Sequence, residues 1–289
     1  MNNKITFRQV LATIHADLIG KDSHRGITLT YGWFANQVGH FALGFIPVSL
    51  MHIFGCNLLN SLLIVSSFWL LFEIYNASSP LYKKEYKGNG SFKPHWSNLT
   101  FDTFTDLCFF WLGSVTYYFC ATENLDKIYV WTLIVCLVGL FFSIRFWFLT
   151  KLYQQNAFFP YQFRLSQWNG YIRPNDIPLI KNFLKEKEEG RHFLVFGVKK
   201  SGKTTLTVGV ANELSIRHKK STYTTFSKWV SLIQDSTNEL NRGNRSLWSW
   251  LDSHFLLIDD INPGDPCEAN KFTSTDVLSY IETSLYSER

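Results

Sequence analysis

Apolar residues gather in four long runs, at about 38–54, 58–75, 101–120 and 128–149, and thin out on either side. Each run is close to the ~20 residues that a bilayer core requires at about 1.5 Å of rise per residue. The pattern therefore predicts four membrane spans, the first of them short and interrupted by Pro47. Aromatic residues sit near several run ends (Trp33, Tyr75, Trp96, Tyr118, Trp131, Trp147), as they do at the level of lipid headgroups. Ahead of the first run, Ile5, Phe7, Val10, Leu11, Ile14 and Leu18 recur at helical spacing with Lys4 and Arg8 among them. That spacing predicts a helix in residues 1–37 that either lies on the inner leaflet or packs on the protein's own soluble part.

Beyond residue 150 the pattern becomes that of an ordinary globular sequence. Residues 151–190 carry dense aromatics (Phe158, Phe159, Tyr161, Phe163, Trp168, Tyr171) with Arg164 and Arg173 between them, which suits a juxtamembrane linker. Asn175-Asp176-Ile177-Pro178 predicts a helix start, running to about Glu189 and stopping at Gly190. Residues 191–196 read as a buried strand and 205–214 as a helix, with Leu206, Val210 and Leu214 on one face. Residues 221–225 read as a second strand, 227–234 as a helix, 238–245 as a polar loop and 255–260 as a third strand. A helix follows at about 274–285. The chain thus divides into an N-terminal segment (1–37), a four-span membrane domain (38–150), a linker and helix (151–190) and an α/β domain (191–289).

Between the strand at 191–196 and its helix lies Gly197-Val198-Lys199-Lys200-Ser201-Gly202-Lys203-Thr204, which fits G-x-x-x-x-G-K-[ST] at every position. Glycines at both ends let the backbone curl so that its N–H groups face a triphosphate, and the helix N-terminus adds partial positive charge. In such a loop Lys203 reaches the β- and γ-phosphates, Thr204 ligates Mg²⁺, and Thr205 completes the first helical turn. Phe255-Leu256-Leu257-Ile258-Asp259-Asp260 is the matching second pattern, an apolar strand ending in carboxylates. Asp259 is placed to hold Mg²⁺ with Thr204, and Asp260 to polarise an attacking water, with Lys203 as its electrostatic partner. The expected ligands are ATP and Mg²⁺.

Charge adds an orientation. The segment between the second and third runs carries Lys83, Lys84, Lys87 and Lys93 against Glu85, whereas Glu123, Asp126 and Lys127 lie between the third and fourth, and no charge lies between the first and second. The positive-inside rule and the cytoplasmic location of Mg-ATP agree in placing both termini and the nucleotide domain inside, at the cell (inner) membrane. The net charge of +5 is spread along the chain and gives no case for nucleic-acid binding. Cys56, Cys108, Cys120, Cys136 and Cys267 have no metal-ligand spacing and read as free thiols.

Within or beside the apolar runs lie His40, His52, Glu73, Asp102 and Asp106, and Asp102 and Asp106 are i, i+4. Ionisable groups at membrane depth are costly and face a bundle interior or water. Asp106 is the one expected to find an interior partner such as His40.

Two resemblances follow from these residues. Gly202-Lys203-Thr204, Tyr223-Thr224-Thr225-Phe226 and Leu257-Ile258-Asp259-Asp260 are similar to DnaC/IstB-type AAA+ proteins. The first and last of these, with Thr205-Leu206, resemble STAND-type switch ATPases equally. The resemblance implies that Lys203, Thr204, Asp259 and Asp260 bind Mg-ATP. Asp-Asp stands where AAA+ enzymes commonly have Asp-Glu, and no Asn-Lys-x-Asp selects guanine. His40-Phe41-Ala42-Leu43-Gly44, Glu73, Asp106 and Gly113 resemble the VanZ-like membrane family, which implies a four-helix membrane module.

The fold class expected is therefore a four-helix transmembrane bundle followed by an α/β P-loop NTPase domain with a parallel sheet. In additional-strand ATPases a later strand separates the loop strand from the second carboxylate-bearing strand, and only a helix is legible after Asp260. The expectation is a gap beside residues 194–196, the alternative being direct pairing with 256–258. Arg289 is the only arginine after Asp260, and Arg242 and Arg245 would have to serve a neighbouring subunit, so turnover by this chain alone is expected to be slow or absent. A homo-oligomer or a partner protein would complete the site. Three functions remain open: an ATP-binding switch or ATPase coupled to the membrane module, a transporter or membrane enzyme acting through Asp106 and His40 under nucleotide control, and a degenerate scaffold.

Overall fold

The computed structural model describes residues 4–18, 28–82, 88–122, 127–185, 193–198, 200–234 and 247–261. Helix α1 (Phe7–Leu18) precedes four long helices, α2 (Leu29–Ile53), α3 (Leu58–Tyr82), α4 (Trp96–Ala121) and α5 (Lys127–Asn156). After a 3-10 turn (Leu165–Gln167) come α6 (Asp176–Phe183), α7 (Lys203–Ile216), β1 (Ser221–Thr225), α8 (Phe226–Gln234) and β2 (Phe255–Asp259). The two strands pair in parallel, Ser221 opposite Phe255 and Thr225 opposite Asp259. The lysine-rich segment 83–87, the loop at 238–245 with Arg242 and Arg245, and the helix expected at 274–285 lie outside the described residues.

The bundle is apolar outside and polar inside. Leu63, Ile64, Phe68, Leu71 and Ile74 of α3 and Val135, Val138, Phe141 and Phe142 of α5 are exposed, while Gln37, Ser61, Glu73, Thr105 and Ser114 are buried. A soluble protein rarely exposes apolar surface on this scale. Two helices, over Leu58–Ser79 and Leu133–Asn156, are long and apolar enough to cross a membrane. The sequence pattern expects four such spans. Length alone does not separate α2 and α4, of 25 and 26 residues, from the other two. Composition does: Gln37, His40 and His52 in α2 and Asn98, Asp102 and Asp106 in α4 dilute their apolar character.

Pro47 does not interrupt α2, contrary to expectation. Proline lacks the N–H that would bond the carbonyl four residues back, here Leu43. Trp69 of α3 supplies the missing donor, its Nε1 lying 2.9 Å from the Leu43 oxygen. Helices α2 and α4 cross backbone to backbone. A Cβ on Gly44 would lie 1.9 Å from the Phe110 oxygen, and one on Gly113 would lie 2.0 Å from the Phe41 oxygen. Ser114 Oγ donates to the Gly44 carbonyl at 3.2 Å across the same contact. Small residues allow this approach where no hydrophobic force drives helices together.

Helix α1 divides its apolar residues. Val10 and Ile14, with Ile5 just ahead of the helix, pack on Trp33, Phe148 and Leu152, whereas Phe7, Leu11 and Leu18 are exposed. The helix thus packs on the protein and also presents an apolar face outward. Helix α5 runs six residues past the expected boundary at 150 and ends at Asn156, so the linker begins later than its composition suggests. Helix α6 ends at Phe183, short of the expected Glu189, although 186–189 lie outside the described residues.

One substitution series tests the crossing. Gly113→Val should lower stability by about 1–3 kcal/mol or prevent folding, because a buried backbone contact must open. Gly39→Val, with nothing within 4 Å of its Cβ position, should be near neutral apart from helix propensity. Thermal unfolding in detergent, followed by size-exclusion chromatography, measures both. Equal tolerance at the two positions would refute the close crossing.

Candidate functional site: the 197–204 loop and its helix

The loop opens α7 as the sequence predicts. Lys200 and Gly202 are both left-handed, with φ of 65° and 85°, and Gly202 occupies the N-cap without a capping side chain. The first N–H groups of α7 therefore have no intrahelical acceptor, and they lie at the positive end of the helix dipole. Ser201 N–H donates to the Val198 carbonyl at 3.2 Å, which turns the loop. Lys203 Nζ donates to the carbonyls of Gly197 (3.0 Å) and Val198 (2.8 Å), so the loop curls around its own ammonium group. Thr204 and Thr205 follow in the first turn, and Tyr161 of the linker shares a 2.9 Å hydrogen bond with Thr205. Lys199 lies outside the described residues.

The linker roofs this loop. A Cβ on Gly202 would lie 2.6 Å from the Trp168 ring, so glycine is needed here for space as well as for backbone angle. Beside it a cavity of about 330 Å³ is lined by Trp168, Asn169, Gly170, Lys200, Ser201 and Thr205, among others. Trp168 is held from below by the core of Leu165, Ile180, Leu206, Val210 and Leu214. The three α7 positions singled out by helical spacing are all in that core.

Asp259 ends β2 and accepts a 2.9 Å hydrogen bond from Tyr223 Oη of β1. Partial burial, then that bond, pushes the Tyr223 hydroxyl well above its ordinary pKa, which keeps it a donor. Asp260 follows just outside the strand with φ of 53° and an exposed side chain. Both carboxylates stand at the C-terminal edge of the parallel pair, the edge where α/β sheets take ligands. Helix α7 packs on both strands. Among the described residues no hydrogen bond joins the loop to Asp259 or Asp260.

Among the described residues no strand precedes the loop, and 191–192 lie outside them. Residues 193–197 pair with neither β1 nor β2. Phe193 and Val195 pack on the core while Leu194, Phe196 and Val198 are exposed. The side-chain alternation of a strand is present, and hydrogen-bonding partners are not. Direct pairing of 194–196 with 256–258 is accordingly not seen.

Sequence reasoning missed how the loop helix meets the membrane helices. Asn212, on α7, accepts from Gln154 Nε2 of α5 at 2.7 Å and donates from Nδ2 to the Phe163 carbonyl at 2.7 Å. Arg164 Nη2 donates to Asn98 Oδ1 of α4 at 2.9 Å and lies within electrostatic reach of Glu213 on α7. His218, just after α7, contacts Thr150 Oγ1 of α5 at 3.1 Å and stacks on Tyr153. Tyr223 N–H donates to the Ala157 carbonyl, tying β1 to the end of α5. The only sequence signal was the presence of amides, Gln154 and Asn212, inside two otherwise apolar helical faces.

In the helical bundle, His40 Nδ1 and Asp106 Oδ1 lie 3.1 Å apart, the pairing expected from the sequence. His52 Nδ1 is instead 3.1 Å from Tyr117 Oη. Among the described residues no group of three or more His, Cys, Asp or Glu side chains could hold a metal ion. Cys56, Cys108 and Cys120 are free thiols. No family model, curated protein or solved structure matches the chain.

The junction where His95 caps the start of α4 and His218, just after α7, meets Thr150 of α5 should be acid-sensitive. Burial, then the charges of Arg217 and Arg164, lowers His95 from the ordinary 6.5; burial, then Lys4 and His95, lowers His218. The unfolded chain therefore binds more protons at these sites. Their contribution is fully present above pH 6.5 and is lost as pH falls toward the depressed folded values. Buried Glu213, held above the usual carboxylate range, acts in the opposite sense, contributing at low pH and losing that contribution as pH rises through its folded value. The histidine part is isolated by comparison: between about pH 7 and 5 the melting temperature of a His95→Gln/His218→Gln double variant should fall less than that of the native chain. Parallel pH profiles would sink this assignment.

Proposed function

We propose that this chain is a membrane-anchored Mg-ATP-binding protein that works as a nucleotide switch, passing the state of the 197–204 loop to a four-helix membrane module. The observation that carries the reading is the joint just described. The helix whose N-terminus faces the loop is clamped at Asn212 to Gln154, on the end of the apolar helix α5. A movement of α7 on phosphate binding has no soft segment in which to dissipate before it reaches α5.

The phosphates would take the free N–H groups at the start of α7, with Lys203 exchanging its two carbonyl contacts for the β- and γ-phosphate oxygens. Those carbonyls hold the ammonium ready without a competing carboxylate. Thr204 and Asp259 would hold Mg²⁺, and Asp260 stands next to that position. The cavity under Trp168 offers room beside the phosphates for the nucleoside. The likeness to AAA+ and STAND proteins supports binding without choosing between the two. The four long helices, lipid-facing apolar surface on α3 and α5, and polar interior of the bundle support four spans with both termini on the ATP side. In this reading α2 and α4 cross the bilayer with their polar groups turned into the bundle.

A second reading, a membrane module that acts through its own polar groups under nucleotide control, is favoured by the 3.1 Å His40–Asp106 contact.

Two experiments test the proposal. Full-length protein in detergent should bind Mg-ATP, and Lys203→Ala should cost roughly 1.5–3 kcal/mol, about ten- to a hundredfold in Kd. Equal affinity in the two proteins would remove the nucleotide site from the reading. For topology, Lys93→Cys in a background with the native cysteines replaced should resist impermeant thiol reagents added to intact cells and react once the cells are opened. Labelling from outside would put the 197–204 loop on the side without ATP.

A further inference from the structure

The interior of the bundle holds more ionisable groups than its packing requires. Gln37 and His40 lie one turn apart on α2, Glu73 comes from α3, and Asp102 and Asp106 lie one turn apart on α4. Gln37 is 2% exposed and Glu73 is 3% exposed, in helices whose outer faces are bare. Both amide atoms of Gln37 and Glu73 Oε2 are buried without a hydrogen-bond partner. Leaving such groups unpaired costs roughly 1–3 kcal/mol each in a protein interior, so an apolar residue would be the more stable choice at each position.

The charges are unevenly served. Asp106 has His40 at 3.1 Å. Asp102 lies within electrostatic reach of Lys151 on α5 and Arg164 in the linker. Glu73 lies within electrostatic reach of His40 and Asp106, with Asn76 one turn along α3, but among the described residues no cation is its own. Three carboxylates and one imidazole thus share the interior, with the two remaining cations at one end. That end faces the loop domain, because Arg164 also donates to Asn98 at the start of α4. One turn past His40 on α2 and two turns past Asp106 on α4, the two backbones touch at Gly44 and Gly113.

We propose that Glu73, His40, Asp106 and Gln37 form a proton-binding site inside the bundle, open through Asp102 toward the loop domain and sealed on the other side by the Gly44–Gly113 crossing. A proton is the ligand that needs no cavity, and the described residues offer no metal-binding group. The step is simple protonation: the Glu73 carboxylate takes one proton from water by way of Asp102 and the His40–Asp106 pair, its Oε2 becoming an O–H donor. Gln37, one turn from His40 on α2, is the other nearly fully buried side chain of this interior whose polar atoms lack a partner. Loss of the proton returns a carboxylate to a space with no cation for it, so occupancy changes the charge balance among α2, α3 and α4. This inference does not rest on nucleotide binding.

Infrared difference spectroscopy of the full chain in lipid nanodiscs, without nucleotide, tests it directly. In H₂O and D₂O at neutral pH the native protein should show the C=O stretch of a protonated carboxylic acid, shifted by deuterium. The band should be lost in Glu73→Gln and shifted in Glu73→Asp. Absence of the band from the native protein overturns the proposal, as does a band unchanged in Glu73→Gln. If Glu73→Gln does not yield folded protein, Glu73→Asp decides, and an unshifted band there is equally fatal.

Discussion

The close passage of α2 and α4 is the constraint from which the rest of the helical bundle follows. With a Cβ position 1.9 Å from a carbonyl oxygen, neither Gly44 nor Gly113 can carry a side chain, and the two helices cannot rotate about their axes without losing the contact. Fixing that rotation decides which residues face inward. His40 stands four residues before Gly44, so it turns to the same seam, and Asp106 stands two turns before Gly113 on the partner helix. Their 3.1 Å contact is a consequence of the glycine crossing. Tryptophans tie α3 to both helices of the seam: Trp69 of α3 donates to the Leu43 carbonyl of α2, and Trp111 of α4 donates to the Ser66 carbonyl of α3. The bundle is thus held by backbone contact and polar bonds as well as by packing.

From there the order extends toward the loop domain along α5. Its apolar surface serves the bundle and its last turns serve the soluble part: Thr150 meets His218, Gln154 meets Asn212, and Asn156 accepts from the Leu247 N–H. Helix α7 is buried nearly all round, with Leu206, Val210 and Leu214 toward the core of the linker and Asn212 toward α5. A helix so enclosed cannot shift at one end alone. Gly209 shows how close the fit is, since a Cβ there would lie 3.2 Å from the Phe163 ring and 3.3 Å from the Leu165 backbone.

What was legible in the sequence depended on whether the signal was local. The left-handed turn at Lys200 and Gly202 is written in the spacing of two glycines, and β1 follows from a β-branched run. The His40–Asp106 pair was legible because a charge in an apolar run has few places to go. The strand before the loop was misread for the opposite reason: Phe193 to Phe196 has the alternation of a strand, but strands need partners, which no local pattern supplies. Pro47 was misread similarly, since the donor that rescues Leu43 comes from Trp69, 26 residues away in sequence. The boundary at residue 150 was set too early because Gln154 and Asn156 look like linker residues until Asn212 and Leu247 are seen beside them.

The loop and the membrane seam share one physical feature. Among the described residues, a charged group in each lacks the stronger partner it could have. Lys203 is held by two carbonyls and not by a carboxylate, and Glu73 Oε2 is buried with no partner among the described residues. A full ion pair at either place would be harder to break, because separating buried opposite charges costs several kcal/mol. Neutral partners keep the charge in place while leaving it free to exchange them, which is what the proposed phosphate and proton sites would require. The two sites are joined through rigid elements, Lys203 to Asn212 along α7 and Gln154 to Lys151 along α5, ending beside Asp102. Any coupling between the two proposed sites would run through this helix and its Asn212–Gln154 contact.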